Sequence, residues 1–185
     1  KLMFPITLDQ ISLRLFEKKD ITSEYISWLN NPEVVKYSNQ RFITHNHETC
    51  KSYFESFQNS NNIFLAITDK SSKNMIGTMT IYFSVNHQTA DIGIMIGNEE
   101  FWGKGIGEQA WQAVMNLLIQ EEGIRKVTGG TLADNKGMMR IFDKVGMVPD
   151  GVRKNHEIID GTPCDIYYFA KFHLKLLQLQ PYIQN

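Results

Sequence analysis

The chain has 185 residues, 42% of them hydrophobic and 21% charged, which excludes wholesale disorder and suffices for one domain with a self-sustaining core. Lys and Arg number 19 against 20 Asp and Glu, a formal net charge of −1, which disfavours a broadly basic nucleic-acid binder. The two cysteines, Cys50 and Cys164, form no CxxC and exclude a disulfide scaffold; they read as reduced thiols in a cytoplasmic protein.

No apolar run approaches the roughly 20 residues of a membrane span. The first ten residues, KLMFPITLDQ, lack the apolar core of a signal peptide. No repeat or linker divides the chain, so residues 1–172 are expected to form a single domain, with 173–185 as a C-terminal tail, helical or mobile.

In chain order, Ile11, Leu13 and Leu15 alternate with Ser12, Arg14 and Phe16, the period of a half-buried strand. Asp20 to Asn31 reads as a helix that Asp20 or Thr22 can cap, with Tyr25, Ile26, Trp28 and Leu29 on its apolar side. Asn31-Pro32 ends it, because the residue before proline resists helical geometry. A short helix is expected at Glu33 to Tyr37 and a longer one at His47 to Gln58, where Tyr53, Phe54 and Phe57 share a side. Strands follow at Ile63 to Thr68, Met75 to Val85 and Ala90 to Ile96, joined by short polar turns as in an antiparallel meander.

The pattern then changes. Trp102 to Gly107 is a glycine-rich loop, and Ile106, Ala110, Val114 and Leu117 then recur at helical spacing through Gln120. Gly123 ends that helix. Lys126 to Leu132 reads as a strand and Asn135 to Val145 as a helix, with Gly146 at its C-terminal cap. Two closing strands, Met147 to Ile159 and Cys164 to Phe172, flank the Asp160-Gly161 turn. The fold class is α+β.

A glycine loop opening a helix presents backbone N–H groups and the positive end of the helix dipole to an anion. Gly105 and Gly107 are expected to permit positive φ there, and Lys104 adds a charge. The Walker A spacing fails, because Gly97 stands one position too far from Gly103-Lys104 and Gly105 replaces Ser/Thr. The Rossmann spacing fails because Glu108 stands at the last glycine. A pyrophosphate on a GxG loop behind an antiparallel sheet is what remains.

Three segments carry a resemblance: ADIGIMIGNEEFWGKGIGEQA (Ala90 to Ala110), DNKGMMRIFDKVGM (Asp134 to Met147) and DGVRKNHEIIDGTPCDIYYFAKF (Asp150 to Phe172). Together with the first strand they resemble the Gcn5-related N-acetyltransferases (GNAT), in the branch of the ribosomal-protein N-terminal acetyltransferases. The resemblance implies a mixed, mostly antiparallel twisted sheet of about seven strands flanked by helices, with the fourth and fifth strands splayed around acetyl-CoA. It implies that backbone groups of Ile94, Met95 and Ile96 pair with the pantetheine arm and polarise the acetyl carbonyl. It further implies that Trp102, Gly103, Lys104, Gly105, Ile106 and Gly107 hold the pyrophosphate, and that Asn135 and Phe142 lie along the cofactor. Phe142 stands where many members have a tyrosine acid, Met138 where many have a serine, and Trp102 where others have Arg or Gln.

Asp91 takes the place of a Glu often found on this strand and is the candidate to bind the amine or guide its proton away, with Asn135 beside it as a catalytic candidate. A solvated carboxylate and a plain helix cap are the alternatives for these two. The acceptor cleft is expected at Trp28, Asn31, Arg41, Tyr82 and His156; the segment Tyr25 to Phe42 resembles one in enzymes that acetylate amino sugars. Packing or surface roles stand beside those assignments. His45-Asn46-His47 lacks a third ligand, and no metal is expected.

The expected reaction is direct attack of a primary amine on acetyl-CoA, with no acyl-enzyme. The expected acceptor is a small amine such as an amino sugar or a nucleotide-linked amino sugar. A protein N-terminal acetyltransferase and a non-catalytic CoA-binding module are the alternatives. No nucleic-acid or membrane partner is expected, and the chain is a monomer or homodimer.

Overall fold

The computed structural model describes residues 2–120 and 123–174. The expected tail beyond Leu174 lies outside them. The elements run β1 (Ile6–Thr7), β2 (Ile11–Leu15), α1 (Ser23–Leu29), α2 (His47–Gln58), β3 (Ile63–Asp69), β4 (Met75–Ser84) and β5 (Thr89–Ile96). Then come α3 (Ile106–Gln120), β6 (Lys126–Leu132), α4 (Lys136–Lys144), β7 (Val148–Ile159) and β8 (Thr162–Phe172). The strand order is β1-β2-β3-β4-β5-β6-β8-β7 in an eight-stranded sheet. It is mixed and mostly antiparallel, with β5 and β6 parallel. The eighth strand, absent from the sequence expectation, is the two-residue β1, which pairs Ile6 with Leu13.

The chain forms two compact units that interleave in sequence. Among the described residues, one comprises Met3–Tyr82 and Gly93–Ala110, the other residues 2, 83–92, 111–120 and 123–174.

In the first unit β3 lies between β2 and β4, and Phe64 to Thr68 are all buried, as its continuous apolar run requires of a strand covered on both faces. Phe64 and Ala66 join Phe16, Ile21, Tyr25, Trp28, Leu29, Cys50 and Phe57 in one core cluster. Phe64 stacks on Phe16 at 4.2 Å and on Phe57 at 4.9 Å between ring centroids, an arrangement worth about 0.5–1.5 kcal/mol per pair beyond area burial.

Helix α1 starts later than expected. Thr22 caps it by accepting from the Tyr25 N–H at 3.2 Å, whereas Asp20 is buried and taken by the Arg14 guanidinium at 2.7 and 2.8 Å. Pairing with Arg14, six residues upstream, takes Asp20 away from capping α1. The helix expected at Glu33 to Tyr37 is replaced by turns, and a 3-10 turn forms instead at Asn39–Phe42, capped by Ser38. Helix α2 matches its expected span, because Asn46 and Thr49 form a reciprocal capping box.

In the second unit β6 pairs with β8 over seven positions, Lys126↔Phe172 to Leu132↔Ile166. The β7–β8 hairpin closes on Asp160 and Gly161, both at positive φ (47 and 79°), as an Asp-Gly turn of the mirror-image type demands. The parallel β5–β6 ladder is short: Thr89↔Lys126, Ala90↔Val127 and Asp91↔Thr128. Within α3, Trp111, Val114, Met115, Leu118 and Ile119 are buried, so Leu118 rather than the expected Leu117 faces the core. Helix α4 ends as expected: Gly146 takes φ 72°, with Gly146 N–H to Asp143 O at 3.1 Å and Met147 N–H to Phe142 O at 3.0 Å. Gly129 has no room for a side chain, because a Cβ there would meet the Trp111 ring at 2.7 Å and Phe142 at 2.9 Å.

Candidate active site

The candidate residues fall in both units, and each group is built within its own.

In the first unit, β5 runs out through Ile96 into Gly97, whose N–H bonds the Ile76 carbonyl at 3.0 Å. Trp28 lies directly under Gly97, where any Cβ would collide with its ring. At 6% exposure Trp28 is core, a correction to its expected place in an acceptor cleft; its α1 position points it into the aromatic cluster. Asn98 caps a 3-10 turn at Glu99–Phe101. Trp102 follows in extended conformation and turns its indole back, donating Nε1–H to the Ile96 carbonyl at 2.8 Å. The Met95 carbonyl sits against Gly77, which also has no space for a side chain.

Gly103 and Gly105 then take φ 69 and 76°, in the left-handed region that favours glycine. Nothing lies within 4 Å of where their side chains would stand. Gly107 is a correction: it lies inside α3, without the positive φ that Gly103 adopts. The Trp102 N–H goes to Glu99 O and the Gln109 N–H to Gly105 O, each at 3.1 Å. Between them, the N–H groups of Gly103 to Gly107 find no backbone acceptor among the described residues, as expected where a helix begins. Five successive amides and the positive end of a 15-residue helix make an anion cradle that fits a pyrophosphate. Lys104 holds its ammonium 5.3 Å from the Phe101 ring centroid.

The acceptor-side candidates of this unit behave differently from one another. Both ends of the Asn31 amide are engaged, Nδ2–H to Glu99 Oε1 at 3.2 Å and Oδ1 from the Glu33 N–H at 3.0 Å, so it braces the chain after α1. Arg41 donates to Ser38 O at 2.8 Å and lies 4.2 Å from the centroid of the exposed Phe42 ring. Tyr82 is 40% exposed, and its hydroxyl lies 3.0 Å from that of Tyr53, with the Phe57 ring 5.5 Å away. Burial pushes the Tyr53 phenol up, and its hydrogen bond with Tyr82 adds to the shift, so it stays neutral. The helical spacing of Tyr53, Phe54 and Phe57 carries no sign of the polar partner that Tyr53 finds in Tyr82.

In the second unit, Asp91 Oδ1 accepts from the Thr128 hydroxyl at 2.6 Å. Its side chain keeps a solvent-facing surface within crowded surroundings. Desolvation raises its carboxyl above the ordinary range, and the Thr128 bond opposes that shift. Thr128 is a missed residue: the parallel register brings it opposite Asp91, and nothing local marks it. Asn135 caps α4 by accepting from the Met138 N–H at 3.1 Å, which leaves its Nδ2 without a partner among the described residues. Phe142 is fully buried at 0% exposure, stacked on Phe169 at 4.7 Å and edge-on to Trp111 at 5.4 Å. Its expected place along the cofactor is corrected to core packing, because α4 turns it inward over Gly129. His156 is exposed on β7.

Both cysteines are buried and unpaired, and burial raises the Cys50 thiol. Among the described residues no helix is long and apolar enough to cross a membrane.

A mixed α+β sheet whose glycine loop opens a helix with a run of free amides is the frame of an acyltransferase. Residues 10–148 match the acetyltransferase (GNAT) domain family, and the chain belongs to that family as an acyltransferase of the N-acetyltransferase type. It is 25% identical over 173 residues to the uncharacterized N-acetyltransferase YoaA of Bacillus subtilis (strain 168), covering 91% of this chain and 97% of the relative. Among solved structures it resembles the ribosomal-protein-S5-alanine acetyltransferase of Vibrio fischeri (TM-score 0.79, 16% identity, 92% of this chain and 97% of that one). It also resembles the spermidine N-acetyltransferase of Vibrio cholerae, solved with CoA and spermine (TM-score 0.78, 19% identity, 91% and 98%).

Proposed function

We propose that the chain is a cytoplasmic, acetyl-CoA-dependent N-acetyltransferase of a small amine such as an amino sugar, with residues 1–172 as its catalytic domain. The observation that carries the cofactor reading is the run of amides from Gly103 to Gly107 without backbone acceptors among the described residues, in a loop with two left-handed glycines. These residues hold the pyrophosphate, and the unpartnered Nδ2 of Asn135 donates to the cofactor. Bound acetyl-CoA supplies the acetyl thioester.

The acceptor nitrogen forms its bond to the acetyl carbon while the carbon–sulfur bond breaks and the electron pair leaves with sulfur. The Asp91 carboxylate takes the nitrogen's proton on Oδ2, while Thr128 holds its Oδ1. A thiol of pKa near ~8.5 leaves tolerably as thiolate, so the burial of Phe142 does not block transfer. Orientation of amine and thioester supplies ~7–11 kcal/mol of the barrier reduction.

The Tyr53–Tyr82 pair supports the choice of acceptor. One phenol donates to the other, which leaves one proton and several lone pairs at an exposed aromatic rim. Rings with paired hydroxyls suit a hydroxylated ring substrate, whose apolar faces lie on aromatics while its hydroxyls bond phenols.

The test is melting temperature with and without saturating acetyl-CoA, beside Gly105→Glu. Ligand at 100 times Kd adds about 2.7 kcal/mol. At roughly 2–4 °C per kcal/mol this raises the midpoint by about 5–10 °C. Loss of that rise in the variant supports the cradle; no rise in the wild type at millimolar acetyl-CoA overturns it. Free-thiol release with amino sugars, competed by peptides with free N-termini, then separates the small-amine reading from the protein acceptor.

A further inference from the structure

The seven residues from Ile96 to Trp102 are closed into a ring by one side-chain bond, Trp102 Nε1–H to Ile96 O at 2.8 Å. The strand side of that ring is rigid. Gly97 rests on Trp28, and the N–H groups of Gly97 and Asn98 both bond Ile76 O, at 3.0 and 3.1 Å. The loop side is held only by bonds within its own turns, Trp102 N–H to Glu99 O and Gln109 N–H to Gly105 O, among the described residues. Gly103 and Gly105 face open space, and Trp102 is itself 44% exposed. The Trp102 N–H bonds Glu99 O at 3.1 Å within the turn, and the indole bond ties that turn back to the end of β5 just before the five amides, the Gly103 amide being joined directly to the Trp102 carbonyl.

We propose that Trp102 is a positioning residue of the cofactor loop, its indole N–H fastening the backbone that carries the Gly103 to Gly107 amides to the end of β5. This rests on the reading of those amides as the pyrophosphate cradle. Oxyanion and phosphate sites tolerate roughly 0.5 Å of misplacement, and glycine-rich backbone without an anchor wanders farther than that. The expectation that Trp102 itself touches the cofactor assigns the ring; the geometry assigns the N–H, which points inward. Replacement by Phe keeps a ring and removes the donor. Replacement by Gln removes the ring and keeps an N–H the same number of bonds from Cα.

The test is calorimetric titration of CoA into wild type, Trp102→Phe and Trp102→Gln, with melting temperatures of the three free proteins alongside. Ile96 is only partly buried and Trp102 is 44% exposed, so water can replace the lost donor and the free proteins are expected to melt within a few degrees of one another. Trp102→Phe is expected to weaken CoA binding about tenfold, the equivalent of 1.4 kcal/mol, and Trp102→Gln to restore most of it. Equal affinity in wild type and Trp102→Phe overturns the proposal, as does loss in Trp102→Gln with retention in Trp102→Phe, which would assign the ring. A wild type that binds no CoA removes the cradle reading itself and is a separate failure.

Discussion

The Asp91 carboxylate and the Thr128 hydroxyl, 37 residues apart, meet at 2.6 Å as the last pair of the parallel β5–β6 ladder. One oxygen of the carboxylate is thereby fixed, and desolvation keeps the group more basic than an ordinary aspartate.

Asp91→Asn is expected to lower kcat/KM by about 10²–10⁴-fold, the range of a lost general base. Its stability moves the other way. A carboxyl raised in the folded state is ionised first in the unfolded chain, so its contribution is fully present below the unfolded value of ~3.9 and is lost as pH rises through the folded value. The variant should therefore melt at or above the wild type at neutral pH, with the advantage vanishing towards pH ~3.5. Thermal melts across that range check the sign.

Thr128→Val removes a bond that favours the charged carboxylate. The acid limb of the pH profile of kcat/KM is expected to move to higher pH with the fold intact. An unmoved limb would separate Asp91 from the titrating base.

Phe142→Tyr, which introduces the residue the family resemblance implies at this place, is expected to destabilise. A hydroxyl would enter a fully buried stack against Phe169 and Trp111, and an unsatisfied buried donor costs about 1–3 kcal/mol. Activity per folded molecule should not rise. Gly129→Ala should cost a similar ~1–3 kcal/mol by overpacking the same rings. Denaturant melts measure both.

Asn135→Ser and Asn135→Ala distinguish cap from cofactor contact. Loss of the cap costs about 0.5–2 kcal/mol, so Ala should lower the melting temperature while Ser should hold it. Both lose the Nδ2 donor, so KM for acetyl-CoA should rise in both.

Asp20→Asn breaks the bidentate pair with Arg14. Removing one partner of a buried pair costs about 3–5 kcal/mol, and the partial exposure of Arg14 places this variant near the lower end. Thermal unfolding reads the loss, while Thr22→Ala isolates the smaller contribution of the α1 cap.

Much of the molecule was readable along the chain because its signals are local. The Asn46–Thr49 capping box set the start of α2, Gly146 ended α4, Asp160-Gly161 closed the β7–β8 hairpin, and the glycines before Ile106 marked the cradle. Each depends on residues a few positions apart, whose conformational preferences act before any tertiary contact forms. The family resemblance rests on the same short segments. What the sequence could not determine were the partners of side chains, because those depend on register between distant strands and on which face a helix buries. Asp20 went to Arg14 instead of capping, Leu118 replaced Leu117 in the core, and Trp28 and Phe142 turned inward from expected ligand positions. Only the folded chain brought Thr128 to Asp91, Tyr53 to Tyr82 and the Trp102 indole to Ile96, since each hydrogen bond needs a donor and acceptor aligned within a few tenths of an ångström.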